Sequence, residues 1–244
     1  MSLNERTRAV HYNHQNGVAI FYILLAVALF AALSYAFTAT VNSASTNNLT
    51  KEEARVYAQD ILSYANRLSR AVQRVLSRGD CSENDVSFYL STNTFLSAYQ
   101  HTPEVDDRCK VFDENGGSIT WLTAPQGVND GSDWIFTGRN RVIDIESNVA
   151  PSGNELIALL PFINEGICIE VNDLVNVVNT NSVPPEEASN VSINPFVGVY
   201  DSGNDINASG NELDGKKTGC FEASNYDGSA SPNTYHFYHV LIAR

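Results

Sequence analysis

The sequence predicts an α+β protein with an N-terminal transmembrane helix, an amphipathic helix and a head built mainly of antiparallel β-sheet. Three observations predict this fold class. An uncharged apolar run extends from Val18 to Val41, and an apolar stripe at helical spacing follows between Tyr57 and Leu76. After Cys81, short β-type runs alternate with clusters of Gly, Asn, Asp and Pro, as in a sheet joined by turns.

The charge of the chain is strongly negative. It has 28 Asp and Glu against 15 Lys and Arg, which gives a formal net charge of −13. Nucleic acids and anionic lipid head groups are bound through Lys and Arg, which displace their counterions. The composition therefore argues against a nucleic-acid-binding function.

The apolar run is long enough to cross a membrane. Its 24 residues would form a helix of about 36 Å, and the hydrocarbon core of a bilayer is roughly 30 Å thick. Arg6 and Arg8 precede the run and no Lys or Arg follows before Lys51, so the positive-inside rule places the N-terminus in the cytoplasm. A permanent signal anchor and a signal peptide that is cleaved near Ala36 both explain such a segment.

A third explanation starts from Gly17, which separates the polar N-terminus from the apolar run. Together with its surroundings from Asn13 to Val41, this glycine resembles the type IV pilin family, which includes the pseudopilins of type II secretion. The resemblance implies that a prepilin peptidase cuts between Gly17 and Val18 and that the new amino terminus is methylated. It also implies that the apolar helices of several subunits bundle into a filament core and that the head is pilin-like.

The position of Tyr22 refines what this resemblance implies. Most members carry Glu at this fifth mature position, where its carboxylate neutralises the terminal amine of a neighbour, whereas a phenol is neutral at physiological pH. Some minor subunits also lack the Glu. The expected protein is therefore a minor, non-catalytic subunit of a type IV pilus or a type II secretion-like filament.

The resemblance and the charge pattern together imply a location and a division of the chain. The expected location is the bacterial inner membrane, crossed once, with the N-terminus cytoplasmic and the head periplasmic, or extracellular within a filament. The expected partners are other pilin-like subunits, the inner membrane and the prepilin peptidase. The expected parts are a leader (1–17), a transmembrane and assembly helix (18–41), a linker with the amphipathic helix (42–80) and an extracytoplasmic head (81–244).

The amphipathic helix has a recognisable start. Asn42 to Leu49 is a string of poor helix formers, and Thr50 followed by Glu53 has the spacing of a capping box. The helix is expected to end at Gly79. It carries the basic stretch of the chain, which we expect to be a solvated face or a docking face for the acidic head: Arg55, Arg67, Arg70, Arg74 and Arg78.

The four cysteines are widely spaced, which argues against zinc and thioredoxin-like motifs. Outside the cytoplasm, two disulfides are the expected state. Three pairings are possible, and we favour the sequential one because it keeps each loop within one half of the head: Cys81 with Cys109, and Cys168 with Cys220.

Several elements of the head are predicted from local patterns. A helix is expected from Asp85 to Tyr99, a β-hairpin from Lys110 to Trp121 around Asn115-Gly116, and a second helix after Pro161. Strands are expected at Trp134–Phe136, Val142–Ile145, Glu155–Leu160, Asn194–Tyr200 and Tyr235–Ile242.

A catalytic constellation is not evident in the sequence. His236 and His239 have an odd separation, so on a strand they face opposite ways and are expected at ordinary surface and edge positions. An enzyme is the third hypothesis, after the pilin-like subunit and a membrane-anchored envelope binding module that does not polymerise.

One loop has oxygen-bearing side chains at alternating positions with a glycine sixth, as in calcium loops. The closing bidentate Glu is missing, because Lys216 stands in its place. Turn-rich loops of this composition are also common without metal. The candidate calcium ligands are Asp205, Asn207, Ser209 and Asn211.

Overall fold

The computed structural model describes residues 21–29, 49–78, 80–146, 153–201 and 203–244. The chain forms two compact units, Met1–Asn48 and Leu49–Arg244. In the first unit the described residues form helix α1 (21–29). The leader, most of the predicted apolar helix and residues 42–48 of the predicted linker lie outside the described residues.

The predicted transmembrane helix needs correction. Over the described ranges, no helix is both long enough and apolar enough to cross a membrane. The single-pass inner-membrane location that rested on an 18–41 helix is overturned with it.

Helix α2 (Lys51–Arg78) is the amphipathic helix. The capping box is present: the Thr50 N–H donates to Glu53 Oε2 over 3.0 Å, and the Glu53 N–H donates to Thr50 Oγ1 over 3.3 Å. The Thr50 N–H and the Thr50 hydroxyl both donate to the Glu53 carboxylate, and these two bonds lower the pKa of Glu53. One face of α2 is buried, and it consists of Ala54, Ala58, Ile61, Tyr64, Ala65, Leu68, Ala71, Val72 and Val75.

The sheet is mixed rather than mainly antiparallel. Its strands are β1 (Ile135–Val142), β2 (Glu155–Ile163), β3 (Glu186–Val191), β4 (Asn204–Ile206), β5 (Thr218–Tyr226) and β6 (Ser229–Ile242), and helix α3 (Glu165–Val175) lies between β2 and β3. The spatial order is β3-β5-β6-β2-β1-β4. The central pairs are antiparallel, whereas both outer pairs, β3 with β5 and β1 with β4, are parallel. The predicted fold class is wrong in this respect because the outer strands arrive through long connections, which permit parallel pairing.

The two edges of the sheet approach each other, so that it forms a near-barrel. The Ser209 N–H, just after β4, donates to the Glu186 carbonyl at the start of β3 over 2.9 Å. One apolar cluster fills the near-barrel and includes Tyr238 and Val240, while a second lies between the sheet and the helices and includes Phe237 and Leu241. Alternate residues of β6 therefore serve two cores.

Residues 80–134 contain neither the predicted helix nor the predicted hairpin. Two short 3₁₀ turns, Glu83–Asp85 and Leu96–Tyr99, stand where the helix was expected. The 110–121 segment turns back tightly on itself, and a Cβ on Gly116 would lie 2.1 Å from the Lys110 carbonyl oxygen. Aromatic side chains of this region form a cluster with Phe136 of β1 within the second core, and burial of that cluster outweighs the local turn preference. The cluster consists of Phe88, Tyr99, Phe112, Trp121 and Phe136.

Candidate functional site

Helix α1 carries one of the residues that the sequence singled out. Gly17 and Val18, the predicted cleavage pair, lie outside the described residues. Tyr22 lies in α1 with 63% of its surface exposed, and its ring makes an edge contact with Phe21 at 6.0 Å between centroids. The large apolar side chains of α1 are all exposed, which is typical of a surface on which another molecule packs: Phe21, Tyr22, Ile23, Leu24, Leu25, Val27 and Leu29.

The predicted pair of disulfides is present in the sequential pairing. Cys81 joins Cys109, with a Cα–Cα distance of 5.7 Å, and Cys168 joins Cys220 at 5.4 Å. Asn172 supports the second bridge, since its side-chain amide exchanges hydrogen bonds with the Cys220 backbone at 2.8 and 2.9 Å. Disulfides of this kind persist in oxidising compartments outside the cytoplasm.

The candidate calcium ligands lie on β4 and in the turn that follows it. The Asp205 carboxylate pairs with Arg141, with 2.6 Å between Oδ1 and Nη2. Ser209 Oγ donates to the Glu186 carbonyl over 3.2 Å, and Asn211 lies at a positive φ of 62°. In the part of the chain that the structure describes, three or more His, Cys, Asp or Glu side chains nowhere converge to hold a metal ion. Calcium binding by Asp205, Asn207, Ser209 and Asn211 stays a prediction.

A buried carboxylate that the sequence did not reveal closes the near-barrel. Glu187 is 1% exposed. Its Oε2 accepts hydrogen bonds from the backbone N–H groups of Asn207 and Ala208, at 2.8 and 2.9 Å, and its Oε1 accepts one from Ser189 at 2.7 Å. Charge-assisted bonds of this type are stronger than neutral ones. Glu187 therefore joins β3 to the segment after β4.

The substitution Glu187→Gln is expected to lower the free energy of unfolding by about 2 kcal/mol, because the amide has one acceptor oxygen where the carboxylate has two. At least one of the three N–H donors, of which that of Ala208 is buried and the other two are partly buried, would then lack a partner. Glu186→Gln is the matched control, since the Glu186 side chain is exposed, and it should change stability by less than about 0.5 kcal/mol. Urea unfolding measures both. Equal effects of the two variants would contradict this role of Glu187.

The two histidines of β6 face opposite sides of the sheet, as predicted, but the expected surface and edge positions are wrong. His236 is 1% exposed and stacks on the Tyr226 ring at 4.5 Å. His239 is bound by Ser69 Oγ at 2.8 Å and Thr218 Oγ1 at 2.6 Å. Burial lowers the pKa of each to about 4. β6 lies inside the sheet, so both imidazoles are buried and neutral near pH 7.

Glu155 is a second buried carboxyl group that sequence reasoning missed. It is the first residue of β2, with none of its surface exposed, and its Oε2 accepts a hydrogen bond from the Val142 N–H at 2.8 Å. Burial raises its pKa to about 7, against the opposing effects of that bond and of Arg141 and Arg244. A charged residue at the head of the apolar run 156–160 was the only sequence signal for this site.

A groove lies between α2 and residues 122–125, with a volume of about 230 Å³. Its walls are mostly apolar, and Asp60 and Arg67 also line it. The Tyr64 hydroxyl is fixed in the wall, because it donates to the Thr120 carbonyl at 3.3 Å and accepts from the Leu122 N–H at 3.1 Å. Burial raises the pKa of Tyr64 to about 12. The apolar residues of the groove include Ile61, Tyr64, Leu122, Pro125, Trp134 and Leu160.

Comparisons with protein-family models, with curated proteins and with solved structures found no match to this chain. The features that remain for a functional interpretation are thus its own: the exposed apolar helix α1, a disulfide-bonded head, and the groove beside α2.

Proposed function

We propose that this protein is a structural, non-catalytic subunit of an extracytoplasmic filament, a minor pilin-like subunit of a type IV pilus or type II secretion-like assembly. Its apolar N-terminal segment would pack against the same segment of neighbouring subunits, and its acidic head would face outward. The work of such a subunit is mechanical, so what it requires is a surface for assembly and a head that stays folded outside the cell.

The observation that carries this proposal is the exposed apolar surface of α1. Phe21, Tyr22, Ile23 and Leu24 each expose 62 or 63% of their surface. Burying apolar area contributes about 25 cal/mol per Å², so side chains of this kind favour association with a partner of similar character. This surface begins four residues after Gly17, where the resemblance to prepilins is concentrated.

The head supports the proposal through its stability outside the cell. Its two disulfides close loops with sequence separations of 28 and 52 residues, and such links disfavour the unfolded chain. Its own pair of apolar cores lies within residues 49–244.

Processing at Gly17 is the test of this function. Incubation of the full chain with a prepilin peptidase is expected to remove residues 1–17 and to leave Val18 as the new terminus, methylated in cells. Intact mass analysis measures both changes. Gly17→Leu should block the cut, because a bulky side chain replaces the small one at the scissile bond, whereas Asn16→Ala should leave it unchanged. An intact Met1 terminus, or a cut after Ala36, would refute the proposal.

A binding module that does not polymerise is the second candidate function, and the groove beside Tyr64 favours it. Its volume of about 230 Å³ is below the usual range of small-molecule pockets, about 300–1,000 Å³. A groove of this size suits a single large side chain of a protein partner better than a drug-sized molecule. Recovery of the protein from cells only outside sheared filaments would favour this second function.

A further inference from the structure

Four arginines form a row along the second half of α2, and we call Arg67, Arg70, Arg74 and Arg78 the arginine row. The last 18 residues of α2, from Ile61, contain these four and no Asp or Glu. In the rest of the second unit, outside α2, 24 acidic residues oppose 7 basic ones, a balance of −17. The row is thus a cationic surface on a strongly anionic head.

The row differs from the other arginines in what it contacts. Every other arginine of residues 49–244 makes a salt bridge: Arg55 with Glu170, Arg108 with Asp106, Arg139 with Asp201, Arg141 with Asp205 and Arg244 with Glu83.

Within the described residues, none of the four arginines of the row makes a salt bridge. Arg67 lies over the Tyr64 ring at 5.2 Å, and Arg74 donates to the Gly117 carbonyl at 3.1 Å. Of the two expected roles, docking on the acidic head describes Arg55, which pairs with Glu170, whereas a solvated face describes Arg67, Arg70 and Arg78, which are exposed. The guanidinium groups of the row retain donors for carboxylates from outside this copy.

The row adjoins the groove, because Arg67 belongs to both. Arginine and aromatic residues are enriched where protein partners meet, and lysine is depleted there. The groove supplies an apolar pocket walled by Tyr64 and Trp134, and the row supplies bidentate donors beside it. Together they suit an acidic protein surface that also exposes apolar side chains.

We propose that the arginine row and the groove bind a second copy of this chain, through an acidic–apolar patch on its head. This inference rests on the proposed filament function and names a contact between subunits. Short contacts link the segment after α3 to β5: Asn179 donates to the Asp173 carboxylate at 2.9 Å, Thr180 forms a β-bridge with Val183, and the Glu222 N–H donates to the Pro185 carbonyl at 2.9 Å. The acidic–apolar patch on this surface consists of Asp173, Val178, Val183, Glu186 and Glu222.

The patch has both properties that the row and the groove require. Val178 and Val183 are 64% and 41% exposed. Glu186 and Glu222 are register partners on the parallel strands β3 and β5, so two carboxylates lie side by side. One lysine, Lys216, reaches the border of the patch, where its Nζ donates to the Asn176 carbonyl at 2.8 Å. Three carboxylates against this one ammonium leave the patch anionic.

The row and the patch belong to different parts of the head. α3, which leads into the patch, packs on the first turns of α2, where Lys51 and Arg55 contact Glu170 at 3.5 and 3.8 Å. The row begins 12 residues after Arg55, about 18 Å further along the axis at 1.5 Å per residue. A contact between the row of one copy and the patch of the next uses two different surfaces, and such a contact can propagate as a filament.

Charge reversal in the full, oxidised chain tests this contact. Sedimentation velocity at about 50 mM and about 500 mM salt separates the electrostatic part of self-association from the apolar part, because salt screens only the former. Arg70→Glu with Arg78→Glu is expected to weaken association at low salt by at least about tenfold, and Glu186→Arg with Glu222→Arg likewise. A mixture of the two variants should recover association, since the opposite charges then face each other.

The matched control is Arg108→Glu with Lys217→Glu, which changes net charge equally away from the row and should leave association unchanged. Failure of the mixture to recover, or an equal loss in the control, would overturn the contact. The contact would also be overturned if the unaltered protein bound phosphatidylglycerol vesicles or DNA and only the Arg70→Glu, Arg78→Glu variant lost that binding, because the row would then bind a different kind of partner. Processing at Gly17 is measured separately by mass. A processed chain that lacks this contact would refute the contact and leave the filament function standing. An unprocessed chain that shows the contact would refute the filament function and leave the contact standing.

Discussion

Replacing Cys168 and Cys220 together by alanine is expected to lower the free energy of unfolding by about 4 kcal/mol. This bridge ties α3 to β5 across a sequence separation of 52 residues, and the chain-entropy relation gives about that value for a loop of this length. The loss is a large part of the stability of an ordinary domain. Guanidinium unfolding of the oxidised protein at neutral pH measures it.

The other disulfide provides the comparison. Cys81→Ala with Cys109→Ala removes a loop of 28 residues and should cost slightly less, between 3 and 4 kcal/mol by the same approximate relation. Chemical reduction of the unaltered protein should reproduce the combined loss. A change of less than about 1 kcal/mol in the Cys168→Ala, Cys220→Ala variant would mean that the bridge does not restrict the unfolded chain as argued.

Between pH 7 and pH 4, the free energy of unfolding of the His236→Phe variant is expected to fall by about 3 kcal/mol less than that of the unaltered protein. The unfolded chain binds a proton at this imidazole below a pH of about 6.5, whereas the folded chain does so only below about 4. The free energy of unfolding therefore falls as the pH drops from 6.5 to 4. Phenylalanine does not titrate, and it keeps an aromatic ring against Tyr226. Urea unfolding at a series of pH values measures the difference.

Glu155 should have the opposite effect to His236 on how the free energy of unfolding depends on pH, because its pKa is raised to about 7. The folded state then holds a proton that the unfolded state releases, so this group loses its stabilising effect as the pH rises from 4.5 to 7. The Glu155→Gln variant lacks this stabilising effect at low pH, so its free energy of unfolding should fall more steeply than that of the unaltered protein as the pH drops. Superimposable pH profiles of the Glu155→Gln variant and the unaltered protein would contradict the burial of this carboxyl group.

Local patterns were enough for the elements that depend on near neighbours. The Thr50–Glu53 capping box and the apolar spacing of α2 involve residues within one or two turns. The run that begins at Glu155 was recognisable as a strand, and it extends to Ile163. The pilin-like filament function and the calcium site remain predictions.

Elements that depend on distant partners were not predictable in this way. β3 (Glu186–Val191) and β5 (Thr218–Tyr226) were not predicted. They pair with each other in parallel, and β5 also pairs with β6, so both depend on partners that are distant in the sequence. The Asn115-Gly116 turn signal was overridden by the aromatic cluster, and the two short predicted strands around Trp134 and Val142 are one strand, Ile135–Val142. β-structure is sensitive to such context, since its stability comes from cross-strand neighbours.

The sequence by itself determined an acidic chain with an apolar N-terminal segment, one amphipathic helix and cysteines suited to two disulfides. Only the tertiary structure decided that the sheet is mixed and nearly closed, that Glu155, Glu187 and His236 are buried, and that the arginine row lacks carboxylate partners among the described residues. Helical spacing and capping act over a few residues, and a sequence reveals them directly. Burial and pairing arise between segments tens of residues apart, so the same Glu or Arg can be solvated or enclosed until the fold sets its neighbours.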